Sequence, residues 1–337
     1  MTRDDLIDGG YIQLQNTWFK TEGKTNLLLK IGTDGFLLLN ILLSNRTFDN
    51  KVFFNKQLIT NIFGNKRTEN TIIAYKALKN LVDNDILILE TDVNYDYPKT
   101  EDLIIAQVNF PITFKENFFM LYRHHLNIIK NNNFNVNEGK LLSVYCSIRY
   151  KIYNDQYCKT DINHIVNETG INKKSIIKYI DVLQDLGLIL YDNPGTRYFE
   201  DKDQYKEAPN FYVLNTEDAE YILSTAIKKY REEQEAKGVK FIKKGTIKLL
   251  INDRRINTCK QKRADYMFNN NQLEEDEYNS IVDKCEVRKE ELAWKDDEQV
   301  DLSKLINYEE KDNPFADLDP NDIVNEDEFD IEKFLIE

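Results

Sequence analysis

Residues 71–81 and 176–186 of this 337-residue chain carry the same apolar register, 105 positions apart. The first stripe is Thr71, Ala74, Tyr75, Leu78 and Leu81. The second is Ile176, Tyr179, Ile180, Leu183 and Leu186. Steps of three and four residues place each set on one face of a helix. The next segment is repeated as well: ILILE at 86–90 is matched, after a short deletion, by LILYD at 188–192. A chain that repeats one helix–strand unit is built from two small modules rather than one large fold.

The flanking patterns give each module the same order of elements. In the first copy Thr33 is the expected N-cap of a helix carrying Phe36, Leu37, Leu39 and Leu43. KVFF at 51–54 reads as a strand, Asn55 as the cap of a helix over 56–63, and Gly64 as its end. A turn at 65–68, the striped helix over 69–82 and strands at 86–90 and 103–110 complete it. The second copy repeats this with a helix from Asn137, a strand at 156–159, a Thr160-capped helix, a turn at 172–174 and a helix over 175–186. Its strands at 188–192 and 211–214 flank a long wing over 193–210. Helix, strand, helix, turn, helix and hairpin is the order of a winged helix. The expected fold is α+β and mainly helical, with tandem winged helix-turn-helix domains, a helical C-terminal region and a disordered acidic tail. The expected boundaries are 1–110 for the first domain, 111–135 for a bridging helix and linker, and 136–215 for the second domain. Residues 216–295 form a helical region with a basic block, and 296–337 the tail.

Charge follows the same division. The chain is −13 overall, yet residues 296–337 hold 16 acidic side chains against 3 lysines, which accounts for the whole excess. The body is neutral and has to be judged by local patches. Residues 237–263 hold ten Lys or Arg against Asp253 alone, with interleaved apolar residues. A DNA arm and a packed helical face both fit that composition. The tail spaces Phe315, Leu318, Phe329, Ile331, Phe334 and Leu335 through acid, a pattern suited to folding onto a partner or onto the chain's own basic block.

Little points to catalysis. Cys146, Cys158, Cys259 and Cys285 are widely spaced, and no CxxC occurs, so reduced thiols are expected rather than disulfides or zinc. No phosphate-cradling GxxxxGK[ST], HExxH or GxSxG is present. His124 and His125, taken as surface or interface residues of a helix, lack metal-ligand spacing. No catalytic residue, metal or cofactor is therefore expected. The longest apolar block, residues 36–43, is short for a membrane span, and the polar N-terminus carries no signal peptide, so the expected location is cytoplasmic.

The candidate binding residues lie at the turn and first turns of each striped helix, outside the stripe. In a helix-turn-helix these positions reach base edges. They are Asn65, Lys66, Arg67, Asn70 and Lys76 in the first copy, and Asn172, Lys173, Lys174, Ser175 and Lys178 in the second. Amide side chains pair with adenine and cationic ones with guanine or phosphate. Pro194 and Gly195 mark a wing tip from which Arg197 would reach a minor groove or the backbone.

Through residues 11–19 (YIQLQNTWF), the helix after Thr33, KQLITNIFGNKRTENTIIAYKALKNLVDNDILIL and its second-copy counterpart, the chain resembles winged-helix replication proteins of Firmicutes-type plasmids and phages. These include plasmid replication initiators and DnaD-like replisome organisers. The resemblance covers about the first 215 residues. It implies sequence-specific binding of double-stranded origin DNA and recruitment of replication proteins, here through the acidic tail. A homodimer is a further expected partner, and a membrane is not. A transcriptional or partition regulator, or a winged-helix protein–protein adaptor, would use the same modules.

Overall fold

The computed structural model describes residues 10–20, 26–64, 67–93, 103–109, 117–152, 156–199, 204–242 and 246–305. The chain is α+β and mainly helical. A short strand β1 (Tyr11–Gln15) leads through a 3-10 turn to α1 (Leu27–Ser44), β2 (Lys51–Phe54), α2 (Lys56–Ile62), α3 (Arg67–Asp83), β3 (Leu87–Leu89) and β4 (Ile104–Val108). After β5 (Phe118–Tyr122) and α4 (Arg123–Lys130), the order returns in α5 (Glu138–Arg149), β6 (Tyr157–Thr160), α6 (Ile162–Thr169), α7 (Lys173–Asp185) and β7 (Ile189–Asp192). An inserted hairpin, β8 (Thr196–Phe199) and β9 (Gln204–Glu207), precedes β10 (Asn210–Leu214). The chain continues through α8 (Ala219–Glu235), β11 (Val239–Ile242), α9 (Thr246–Asn269) and α10 (Glu275–Leu305).

The duplication read from the stripes extends to strand pairing. The first sheet has the order β2-β4-β3 and the second β6-β10-β7, so in both the last strand lies between the other two. Phe53 opposes Ile105 as Lys159 opposes Phe211. Ile88 opposes Gln107 as Leu190 opposes Val213. Because side chains alternate across a strand, equal registers put equivalent residues on the same face.

The two copies treat that face differently. In the second, Leu190, Phe211 and Val213 are buried beneath Leu223, Ala226, Ile227 and Tyr230 of α8. In the first, Phe53 remains 44% exposed and Ile88 50%. The third sheet, β11-β8-β9, has no counterpart in the first copy among the described residues. It lies over Tyr230, which meets Phe241 edge-on at 6.2 Å.

The copies meet through their first helices. Residues of both, from Ile12 to Tyr212, belong to one continuous hydrophobic core. Gly139 opens α5 against α1, where an added Cβ would stand 2.7 Å from the Thr33 carbonyl oxygen. The Asn26 side chain caps α1 by accepting from Leu29 N at 3.0 Å, and it donates to the Glu168 carbonyl at 2.9 Å. The buried Glu168 carboxylate accepts from Ser147 Oγ at 2.5 Å and from the Tyr150 hydroxyl, and it pairs with Lys151 Nζ. Phe19 stacks on Tyr150 at 5.2 Å and meets Phe36 edge-on at 5.6 Å.

Several expectations are corrected. The helix expected from Thr33 is the second of two segments of α1, which begins already at Leu27 and breaks at Gly32 (φ 73°), a left-handed conformation suited to glycine. Thr160 closes β6, and Asp161 stands at the N-cap of α6. Among the described residues of the expected bridging helix, β5 pairs antiparallel with β1 and Arg123–Lys130 is helical. Its apolar run FFMLY is satisfied by that pairing, a long-range contact that helical periodicity cannot reveal. At the far end α10 runs to Leu305, ten residues into the stretch expected to be disordered. The rest of that stretch, 306–337, lies outside the described residues. Residues 293–337 form a unit separate from 1–292 by their contacts.

The apolar block is also longer than the eight residues read from the sequence. By length and composition α1 suffices to cross a membrane, but 67% of it is buried inside the protein. Its apolarity is accounted for by the core shared with α3 and α5. Gly139→Ala should therefore cost about 1–3 kcal/mol of stability in urea unfolding, because the intruding methyl meets backbone rather than a movable side chain. An unchanged midpoint would mean that α1 and α5 separate at little cost.

Candidate functional site

The second copy presents its candidate residues in a defined frame. α6 ends on Gly170 in the left-handed conformation (φ 69°), and Ile171 is buried. Asn172 then caps α7, its side-chain oxygen accepting from Ser175 N at 2.9 Å. The helix therefore starts at Lys173, two residues earlier than expected. Asn172 is occupied by the helix end, and Ser175 is half-buried behind it. Lys173 and Lys174 are exposed and have no ion-pair or hydrogen-bond partner among the described residues. Lys178 is exposed one turn on, and its Nζ donates to the Asn135 carbonyl at 3.2 Å. The first turn of α7 holds no acidic side chain. Helix N-terminal amides and two lysines thus share one exposed end, which suits an anion.

The first copy is less favourable. Gly64 ends the turn after α2 with φ 99°. Asn70 is buried and faces back toward Gly64, which removes it from a groove-reading role. Lys76 is exposed. Asn65, Lys66 and the side chain of Arg67 lie outside the described residues. The first turn of α3 carries Glu69, exposed, which opposes an anion there. Three exposed isoleucines stand on these helices outside the polar set singled out from the sequence, Ile73 at 37% and two at equivalent positions. Ile72 is 65% exposed and Ile177 42%. Their sequence signal was an isoleucine lying off the apolar stripe.

The wing differs from expectation. Pro194 and Gly195 are buried in the bend between β7 and β8, and Arg231 Nε donates to the Pro194 carbonyl at 3.0 Å. Arg197 lies within β8 rather than at a tip. It donates from Nη1 to the Tyr230 hydroxyl and from Nη2 to the Glu207 carbonyl, both at 3.1 Å. The turn of the β8–β9 hairpin, residues 200–203, lies outside the described residues.

The basic block divides between β11 and α9, and much of its charge is used internally. Arg255 pairs with Asp181 at 2.8 Å and donates to the Tyr191 hydroxyl at 3.0 Å. Lys260 pairs with Glu220 at 2.9 Å. Lys262 donates to the Asp185 carbonyl, and Arg263 to the Thr216 carbonyl at 2.7 Å. Asn215 reaches from the end of β10 to the Cys259 carbonyl at 3.0 Å. α9 thereby straps the C-terminal half of α7 and leaves its N-terminal half open.

The adjacent histidines, expected at a surface or interface, pack between β5, α5 and α9. His125 is buried, with Nδ1 at 2.5 Å from the Tyr145 hydroxyl. His124 lies 4.9 Å from the Tyr266 ring of α9, and neither of its buried ring nitrogens has a partner. Burial lowers the His124 pKa from 6.5 to about 4. Burial first, then the neighbouring His124 and Arg149 charges, holds His125 well below its ordinary value. All four cysteines are free and buried, and burial pushes the Cys158 and Cys259 thiols up to about 12, away from reactivity at neutral pH. Among the described residues no group of three His, Cys, Asp or Glu side chains is placed to hold a metal ion.

Comparison with protein-family models, curated proteins and solved structures finds no match to this chain.

The histidine and arginine contacts have measurable consequences. A base whose native pKa is depressed binds its proton more readily in the unfolded chain. His124 stability is thus fully present above pH 6.5 and lost as pH falls toward about 4. Urea unfolding across that window should lose up to about 3 kcal/mol, and His124→Phe should flatten the loss. A flat profile in the parent protein would show that the pair is solvated. Arg197→Ala should lower stability by about 1–2 kcal/mol through the lost Tyr230 and Glu207 contacts. If it instead weakened duplex binding without touching stability, the arginine would have a role outside the sheet.

Proposed function

We propose that the chain is a non-enzymatic, sequence-specific binder of double-stranded DNA, built on two winged helices and acting in the initiation or organisation of plasmid or phage replication. The observation that carries this is the exposed N-terminal half of α7. It sets Lys173 and Lys174, without partners among the described residues, at a helix start free of acidic residues, in a repeated helix–strand–helix–helix–strand–strand frame. In such a frame the second helix of the pair enters the major groove, with its first turns nearest the bases. Lys173 and Lys174 contact phosphate, and Lys178 follows them along the groove once it leaves the Asn135 carbonyl. Asn172 serves the interface indirectly, by fixing where α7 begins. The first copy contributes Lys76 and, if they face the duplex, Asn65, Lys66 and Arg67. Replication proteins held by the acidic tail and a second copy of the chain are the partners that complete this reading, in a cytoplasmic setting. A regulator of transcription or partition would share the interface and differ in the sites bound.

The adaptor reading has one specific observation in its favour. The first sheet leaves Phe53 and Ile88 exposed on the face that the second sheet covers with an amphipathic helix. A helix of another protein would fit that role.

Titration with duplex DNA at several salt concentrations separates the readings. Binding that weakens steeply with salt is expected, and its absence even at low salt would remove the DNA reading and leave the adaptor. Replacing Lys173 and Lys174 together by alanine should reduce the salt slope by about two and weaken all sequences alike. Asn172→Ala should instead cost about 1 kcal/mol of folding stability. An unchanged slope in the double variant would place the phosphate contacts elsewhere.

A further inference from the structure

We propose that Ile72 and Ile177 are base-reading residues that each pack on the 5-methyl group of a thymine, so that the preferred duplex carries a required thymine opposite each module. This rests on the DNA-binding reading above and adds to it the identity of two readers and their base.

The two isoleucines are related by the same 105-residue displacement as the buried stripes, yet they stand on the opposite side of their helices. Ile177 is one turn beyond Lys173 and Lys174 and beside Lys178, on the exposed half of α7. Ile72 stands one turn before Lys76 on α3 and is exposed too. Among the described residues neither side chain belongs to the hydrophobic core. Ile72 is mostly in water and Ile177 nearly half so, and β-branched residues are weaker helix formers than lysine. A single exposed isoleucine is ordinary. Here the same surface position of both modules holds one, beside Lys173, Lys174 and Lys178 in the second and between Glu69 and Lys76 in the first.

The major groove supplies the matching chemistry. Of the four bases only thymine projects an apolar group into it, the 5-methyl. An apolar side chain one turn into a helix whose first turn is fixed to phosphates is placed for that group, and it gains nothing from the donors and acceptors of guanine or cytosine. α9 holds Asp181 through Arg255 one turn further along α7, so Ile177 is among the last residues of the open half.

The test uses the full-length chain. A preferred duplex is selected from a randomised library, and its thymines are then replaced one at a time by deoxyuridine, which removes only the methyl. One position per module should weaken binding about fourfold. In Ile177→Ala the penalty at one of these positions should vanish, and in Ile72→Ala the penalty at the other. Both variants should keep the parent's melting temperature, since alanine favours helix at an exposed site. A selected duplex that tolerates uracil at every thymine, or a uracil penalty that survives in both alanine variants, overturns the assignment while the DNA-binding reading stands. If no duplex is selected and no salt-dependent duplex binding is seen, the DNA-binding reading fails and this assignment with it.

Discussion

The packing of α1 against α5 is the contact on which the remaining architecture depends. Two modules of this size have small separate cores, and burying their first helices against each other merges them into one. The approach is close enough that Gly139 has no room for a side chain beside the Thr33 carbonyl. One polar contact crosses this seam, from Asn26 to the Glu168 carbonyl, while the Glu168 carboxylate is held within the second module by Ser147, Tyr150 and Lys151. A buried charge with one partner removed is costly, so this knot fixes the ends of α5 and α6, on which Asn26 and Phe19 of the first module rest. β1 and β5 add a strand pair beside it, with Phe19 and Phe119 packed at 5.6 Å.

Both modules, with α3 and α7, belong to one compact unit, residues 1–292. α9 reinforces this by joining α7, through Lys262 and Arg255, to the histidine pair beside β5, through Tyr266. The cationic residues of α9 act as internal straps. Their charge contributes less to an external field than the composition of 237–263 suggested.

The two modules have diverged in what covers them. α8 and the β11-β8-β9 sheet close the outer face of the second module, and Arg197 is consumed in that closure. The first module lacks such a cover among the described residues and exposes Phe53 and Ile88. The second also has the cleaner helix start, with Lys173 and Lys174 and no acid, whereas Glu69 stands in the first turn of α3. One duplicated scaffold thus offers a cationic helix end on one module and an apolar sheet face on the other.

Much of the frame was legible in the sequence because it is local. The stripes over 71–81 and 176–186, the strands at 51–54 and 188–192 and the Asn55 cap depend on periodicities and caps within a few residues of one another. Three of the candidate residues are engaged within the fold, Asn70 and Arg197 through tertiary contacts and Asn172 locally. Asn70 is buried, Asn172 is taken by a helix end one residue away, and Arg197 is claimed by Tyr230, which lies 33 residues further along the chain. Likewise FFMLY became a strand through β1, more than a hundred residues before it, and the basic block packed because Asp181, Asp185 and Glu220 came to meet it. The sequence alone determined that two like modules exist and which helix face each buries, since an apolar period acts at short range. Only the tertiary structure decided which charges remain outside. That choice depends on partners brought together by the seam between α1 and α5, which no local pattern encodes.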